Sequence, residues 1–333
     1  MIKHATVLLV KRGVPEDVSL LVSRIRWRGR KGASARSLEI AMLDDDGYRR
    51  GRTGLNVEEG HSVIFYWKGK ELFRGMFATQ GQSRKKLLTA KAYDIGIRLA
   101  NNRDTFCYTN KTATDIFLDV CGRFGIPAKE AAGTGYVIPE LPKPKATGWD
   151  VVMDALALTY KATGVRYYPA AFGDAMSLLE RRRNILQWVV ETGVNLSEYS
   201  YTKSTERVRT RLALLSSGGK VLARAQNEAL EAKIGIFQDV GRVDGGMNAG
   251  QLDQLVNASL AENNQATQTL SLDNVLGQAD VISGRGVFVA IKPLGISRAF
   301  YVDTDSHMFD RRHHSMSLGL TPAFDAAKGE PQR

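Results

Sequence analysis

The chain is poor in the residues from which most metal centres and many active sites are built. Its 333 residues include two cysteines, five histidines and four tryptophans. Cys107 and Cys121 have no histidines at zinc-ligand spacing, and two thiols make no disulfide framework. Cys121 falls on the inner face of a helix predicted below. Both cysteines are read as buried, free thiols of a protein made in a reducing compartment. No apolar run reaches the roughly 20 residues that a membrane-spanning helix needs, so no membrane insertion is expected. The opening MIKHATVLLVKRG is briefly apolar, but charges follow at once and no small-residue cleavage site appears. It reads as a first strand rather than a signal peptide. A G-x-S-x-G elbow, a G-x-x-x-x-G-K-S/T loop and an H-E-x-x-H pair are all missing. No catalytic residue, cofactor or resident metal is therefore expected, and the protein is read as a non-enzyme.

What is present is apolar residues, at 43%, and positive charge, with 46 Lys and Arg against 35 Asp and Glu for a net +11. The apolar content suffices for a sizeable core, and the length suggests two or three domains. A basic balance fits nucleic acid, an anionic membrane or acidic protein partners, and does not choose among them.

The periodicity divides the chain in three. Residues 1–104 read as all-β, with strands at Val18–Trp27, Ala35–Met42, Ser62–Trp67, Glu71–Thr79 and Leu87–Tyr93. Lys68-Gly69-Lys70 joins two of them as a hairpin, and Asp44-Asp45-Asp46-Gly47 is a turn. Many short strands between turn signals point to a small antiparallel barrel or sandwich. Residues 105–195 read as an α/β insert. Thr112 caps a helix with Ile116, Phe117, Val120, Cys121 and Phe124 inward, ended by Gly125 and Pro127. Pro139 to Pro144 is an extended link that cannot be helical. Trp149–Lys161 is a second helix, and Arg166–Tyr168 pairs with Met176–Leu179 across Gly173-Asp174. Residues 196–322 return to strands: Val208–Leu215, Lys220–Ala225, Ile234–Val240, Thr267–Leu272, Gly286–Ile291, Arg298–Val302 and Ser315–Leu320. One amphipathic helix, Gln251–Asn264, buries Leu252, Leu255, Val256 and Leu260. Residues 323–333 form a polar, flexible tail. No short-period repeat is present. The fold class is mainly β with an α+β insert, and the outer regions could be two copies of a similar barrel.

Four groups of residues invite a functional reading. Arg24, Arg26 and Arg28 alternate on one strand face near Trp27, a cationic ladder for phosphates or an acidic partner; a solvated strand face is the more common meaning. Arg49, Arg50, Arg52, Arg84, Lys85 and Lys86 add charge nearby. His307 with His313, His314, Asp303 and Asp305 could suggest a metal, but adjacent strand residues point to opposite faces, so His313 and His314 cannot both converge on His307. The three aspartates at 44–46 lack the spacing of a calcium loop. Any two of Glu39, Glu71, Asp94, Glu180 and Asp303 might flank a glycosidic bond, but the sequence offers no pairing signal.

Segments along the whole chain carry a resemblance. They include Asp17 to Val22 with Ile25-Arg26-Trp27, Ala35 to Ile40, Glu71 to Gly75 and Leu88 to Asp94. The middle adds Thr112 to Ile116, Gly135 to Pro139, Ala155-Leu156 and Thr159-Tyr160-Lys161. The end adds Tyr201, Ser204 to Val208, and His307 with His314 to Leu318. In order and spacing the chain resembles the baseplate hub proteins of contractile phage tails and phage-like particles. That is the branch found in Gram-positive prophage elements and related to late control protein D. The resemblance is weakest from Ala223 to Gly250. It implies two tail-tube-like antiparallel β-barrels separated by an α/β domain. It also implies a homotrimeric ring that adapts a six-fold tail tube to a three-fold spike, with the tail tube protein, spike protein and baseplate wedge proteins as partners. DNA passing through the lumen would make transient, non-specific contact. Such a protein would be made in the host cytoplasm and reside in the virion. A hub-associated cell-wall hydrolase and a basic nucleic-acid-binding protein are the alternatives.

Overall fold

Seven strands open the chain: β1 (Ala5–Lys11), β2 (Val14–Asp17), β3 (Val22–Arg30), β4 (Ser37–Leu43), β5 (Ser62–Trp67), β6 (Lys70–Gln82) and β7 (Leu87–Tyr93). They come from a computed structural model that describes residues 4–43, 57, 60–82, 87–243, 247–310 and 312–323. The Asp44–Gly47 turn, the two basic clusters at 49–52 and 84–86, and the tail from residue 324 lie outside them. Lys68 and Gly69 both take positive φ, 50° and 81°, which gives the β5–β6 hairpin a two-residue turn of the hand that matches strand twist. Val7, Leu9, Ile25, Trp27, Leu38, Ile40, Phe65 and Phe73 build the core beneath these strands.

The insert follows as α1 (Ile97–Asn101), β8 (Arg103–Thr112), α2 (Ala113–Arg123), β9 (Ala128–Ala131), β10 (Val137–Thr147), α3 (Gly148–Thr163), β11 (Tyr167–Phe172) and β12 (Ala175–Glu180). Both long helices start on reciprocal caps. The Asp115 N–H donates to Thr112 Oγ1 at 3.1 Å, and the Thr112 N–H donates to Asp115 Oδ2 at 3.0 Å. Thr147 and Asp150 repeat the arrangement at α3, so each helix has two orphan donors satisfied. Phe106, Ile116, Phe117, Val120, Val151, Val152, Met176 and Leu178 fill the core between them. A Cβ on Gly148 would lie 2.8 Å from both Val120 Cγ1 and Phe124 Cε2, so the start of α3 approaches α2 as closely as glycine permits.

Two expectations for the insert change. The prolines from 139 to 144 are extended, but they are no link: they lie in β10, which pairs antiparallel with β8. A two-stranded ribbon has two edges, where residues without an N–H are tolerated. Cys121 is buried and Cys107 is exposed, and both are free thiols. Cys107 sits between inward Phe106 and Tyr108 on β8, where the twofold alternation turns it outward.

The remaining elements are β13 (Ile185–Glu191), β14 (Leu196–Ser204), β15 (Arg211–Leu215), β16 (Val221–Gln226), α4 (Glu228–Ile234), β17 (Gln238–Arg242), α5 (Ala249–Asn263), β18 (Thr267–Leu276), β19 (Gly286–Ile291), β20 (Ile296–Phe309) and β21 (His314–Pro322). The chain divides into two compact units, 1–199 with 271–333, and 200–270. In the smaller unit β16, β15 and β17 form a three-stranded sheet. The inner face of α5, formed by Leu252, Val256 and Leu260, packs with Leu212, Leu214 and Ala223. Of the expected strand Ile234–Val240 only the end is extended, from Gln238 in β17, while Ile234 closes α4, which Asn227 caps.

The class is mainly β, but the strands do not close into two barrels. Thirteen of the described strands join in one sheet, ordered β14-β18-β21-β20-β3-β4-β7-β6-β5-β1-β2, with β19 and β13 branching from β20. The joint is β20. Its first half pairs with β19 and its second half with β3, while β21 runs along its other side. The expected strand Arg298–Val302 is only part of it, and β20 runs on through charged and imidazole side chains to Phe309. Those residues, Asp305 and His307, point inward and are buried with Phe309. The capping prediction is local: Thr112→Ala and Thr147→Ala should each lower unfolding free energy by about 1 kcal/mol in urea titrations. Gly148→Ala should cost about 1–3 kcal/mol through overpacking.

Candidate functional site

The outward face of β3 carries the cationic ladder. Arg24 and Arg28 are exposed and Arg26 is half-buried. Their neighbours across β4 are Ala41, Glu39 and Ser37, and across β20 Arg26 and Arg28 face Met308 and Ser306. Among the described residues no ion pair or hydrogen bond engages any of the three arginines. Trp27 lies on the opposite, buried face. Strict alternation along β3 would set Val22 beside Arg24 and Arg26, but the β3–β4 register shifts between Val22 and Arg24. This bulge turns Val22 into the core with Ile25 and Trp27, while the Ser23 hydroxyl donates to the Ala41 carbonyl at 2.9 Å.

Behind that face runs a buried charged seam that the sequence did not disclose. Arg36, just before β4, stacks its guanidinium 4.1 Å from the Trp27 ring centre. Its Nη1 donates to Asp305 Oδ1 at 2.9 Å and to Ser283 Oγ at 3.2 Å, and its Nη2 donates to Asp305 Oδ2. The Ser283 N–H donates to Asp305 Oδ1 at 2.6 Å. Burial pushes the Asp305 carboxyl up, but the Arg36 charge and the bonds from His307 and Arg36 outweigh it and hold Asp305 well below the usual carboxylate range. A Cβ on Gly29 would lie 1.9 Å from Arg36 Nη1, so glycine opens the space for the pair. The Arg36 main-chain N–H also donates to Asp94 Oδ2 at 3.0 Å, and the Gly96 N–H donates to Asp94 Oδ1 at 3.0 Å. Burial raises Asp94 to about 6 despite those bonds and the Arg36 charge.

One further pair ties the insert to the strands, and another joins the first β region to the last. Arg181, buried at the end of β12, reaches Asp303 of β20 at 2.6 Å and lies over the Tyr301 ring. Lys70 reaches Asp280 at 2.8 Å, and Arg285 shares that carboxylate.

The remaining candidates are structural. His307 is fully buried. Its Nδ1 lies 2.9 Å from His314 Nε2 and its Nε2 lies 3.0 Å from the Val281 carbonyl. His314 stacks on Phe309 at 4.0 Å, and burial, with the charges of His307 and Lys68, drives its pKa down to about 3. His313 is exposed and turned away, as strand alternation requires. Glu71 is held bidentately by Arg74, Glu180 pairs with Arg182 and Arg183, and Asp303 is taken by Arg181. Glu39 faces Arg26 and Lys91 across its neighbouring strands.

Residues 25–321 match the YQBQ-like family. The chain belongs to it. The phage-like element PBSX protein XkdQ of Bacillus subtilis is 30% identical over 308 residues, covering 92% of this chain and 94% of XkdQ. The fold is also that of the prophage MuSo2 43 kDa tail protein from Shewanella oneidensis. The TM-score is 0.70 at 13% identity, covering 95% of this chain and 98% of that one. The E. coli c3393 protein is described as a type VI secretion component structurally similar to T4 bacteriophage tail proteins gp27 and gp5. It superposes with a TM-score of 0.58 at 9% identity, over 98% of this chain and 79% of that one.

The seam of this YQBQ-like chain makes two predictions. Arg36→Met strands a buried carboxylate and should cost about 3–5 kcal/mol in urea unfolding, whereas Arg36→Met with Asp305→Leu should cost much less than the two single changes together. Asp94 titrates higher in the fold than in the unfolded chain, so its protonation adds stability. That contribution is full below about pH 4 and is lost as pH rises through about 6. Asparagine does not titrate. Between pH 4 and 7.5 the stability of Asp94→Asn relative to wild type should therefore move in the variant's favour by about 2–3 kcal/mol.

Proposed function

We propose that the protein is a structural component of a phage-tail-like baseplate, serving as its hub. The observation that carries this reading is coverage. XkdQ matches over 92% of this chain, and the MuSo2 tail protein shares the fold over 95% of it. Both β regions and the insert thus fall inside the likeness. In this reading 1–104 and 196–322 supply the two tube-like halves, 105–195 separates them, and three copies form a ring between a six-fold tail tube and a three-fold spike. The tail tube protein, the spike protein and wedge proteins are then its neighbours, and the virion baseplate its location after synthesis in the host cytoplasm. The seam supports it physically: a part that transmits load between neighbours gains from ion pairs that join its β regions and insert.

The outward arginines Arg24, Arg26 and Arg28 face the lumen or an acidic neighbour in this proposal, and are its partner-facing residues. A non-enzymatic role is supported by the carboxylates, of which Glu71, Asp94, Glu180 and Asp303 are each engaged in a local structural contact. Cryo-EM of assembled particles should show three copies at the tail tip; any other copy number there overturns the hub assignment. The purified chain should give no lytic band on a peptidoglycan zymogram. Its duplex DNA binding should be weak and without sequence preference, and changing Arg24, Arg26 and Arg28 to Gln should reduce the salt slope of that binding by about 2–3.

A further inference from the structure

The insert, the β3–β4 connection and the loop before β19 enclose a cavity of about 240 Å³ for which the hub role gives no use. Its wall is aromatic and aliphatic: Trp149, Met153, Leu156 and Tyr160 come from α3, and Tyr167 and Tyr168 from β11. The wall is held in place. Trp149 Nε1 donates to the Gly32 carbonyl at 3.2 Å, and Arg166 lies 3.8 Å over the Tyr160 ring with its Nη2 donating to the Tyr160 hydroxyl at 2.6 Å.

Charge gathers at the same place. Arg30, Lys31, Arg166 and Arg181 all line the cavity. Asp303 is the carboxylate that answers them, and it is shared by Arg181 at 2.6 Å, Lys31 at 3.7 Å and the Thr321 hydroxyl at 3.0 Å. Asp94 also lines the cavity, but its oxygens are taken by main-chain N–H groups. Burial and the charges of Arg181 and Arg166 lower the Lys31 pKa, and the pull of Asp303 does not offset them. One buried polar atom of a lining residue, Arg181 Nε, has no hydrogen-bond partner among the described residues. An apolar chamber whose cations outnumber their counter-ions suits an anionic group with an apolar part.

We propose that this cavity is a docking pocket for an acidic segment of a partner protein. The segment inserts one aromatic or long aliphatic side chain against Trp149, Met153 and Tyr167, and its neighbouring carboxylates meet Lys31 and Arg166. The volume lies below the roughly 300–1,000 Å³ of pockets for drug-sized ligands, which suits a single anchoring side chain better than a cofactor. A buried anchor ringed by complementary charge is the arrangement that gives protein interfaces both affinity and orientation. A nucleic acid fits less well, because its phosphates call for cations spread along a groove, whereas these cations surround one mainly apolar chamber. The hub reading enters only as the source of the segment, a neighbouring baseplate subunit.

The test is a fluorescence-polarisation titration of the full chain with labelled acidic hexapeptides that differ only in a central Phe, Leu or Ala. The Phe and Leu peptides should bind, and the Ala peptide should bind at least about tenfold more weakly, a difference of about 1.4 kcal/mol. Met153→Trp, which fills the chamber, and the pair Lys31→Glu with Arg166→Glu should each weaken the Phe peptide by at least about tenfold. Circular dichroism would check that each variant is folded, and the charge-reversed pair decides the matter if Met153→Trp does not fold. Equal affinity for the Phe and Ala peptides overturns the proposal. So does undiminished binding by a folded variant, no binding of any acidic peptide, or tighter binding of an oligothymidylate of similar length. A failed titration leaves the hub reading intact, and a particle without three copies at its tip leaves the titration result standing.

Discussion

The pairing of Arg36 with Asp305 is the constraint on which the large unit depends. It joins a residue before β4 to one on β20, 269 positions later, and so fastens the strands of the first β region to those of the last. Two buried charges are costly to desolvate, and an apolar pair of equal volume would often be no less stable. What the ion pair adds is a definite register. Gly29 stands opposite Asp305 in the β3–β20 ladder, and only a residue without a Cβ leaves room there for the guanidinium. A slip of one residue would turn Asp305 to the solvent face and Arg28 into the core. The neighbours enforce the same position: the Trp27 ring covers the guanidinium, and Ser283 bonds both partners.

This constraint also explains what the sequence could and could not disclose. Elements defined by neighbouring residues were legible. Thr112 announced α2, the glycine of Lys68-Gly69-Lys70 announced a hairpin, and the stripe of Leu252, Val256 and Leu260 announced α5. Elements whose meaning rests on distant partners were not. The second half of β20 carries little apolar alternation because its inward residues include Asp305 and His307, and they become core residues only once Arg36, Val281 and His314 are in place. The bulge at Ser23 escaped for a related reason: strict alternation assigns Val22 to the arginine face, and only pairing with β4 shows where the alternation breaks. Chain topology was least legible of all. Two β regions separated by an insert suggest two closed barrels, and nothing in local periodicity shows that one long strand pairs with both.

The candidate site follows the same division. The arginines of β3 could be placed on one face from spacing alone, since a period of two needs no partner. Whether they were paired could not be read, because the nearest acidic residue, Glu39, lies on another strand. The basic residues of the insert were passed over altogether. Arg166 and Arg181 stand in unremarkable sequence, and their meaning comes from Asp303 and Lys31, which topology carries to the same place.

The positive balance therefore has two components with different physical roles. Inside the large unit, Arg36, Arg181 and Arg285 face Asp305, Asp303 and Asp280. Their charges are largely spent on holding the strands and the insert together, and they add little to any external field. Among the described residues, the cations left without a carboxylate partner include Arg24, Arg26 and Arg28 on the outward face of β3 and Arg30 and Arg166 at the cavity. A general nucleic-acid binder would instead spread free lysines and arginines along a continuous track to gather many phosphates. These five cations stand at two separate places with different surroundings, an open polar strand face and the mouth of an apolar chamber. An open polar face can only screen or steer what passes it, while a chamber can select by shape as well as by sign. A basic composition divided in this way matches a protein with several defined neighbours better than one with a single polyanionic ligand.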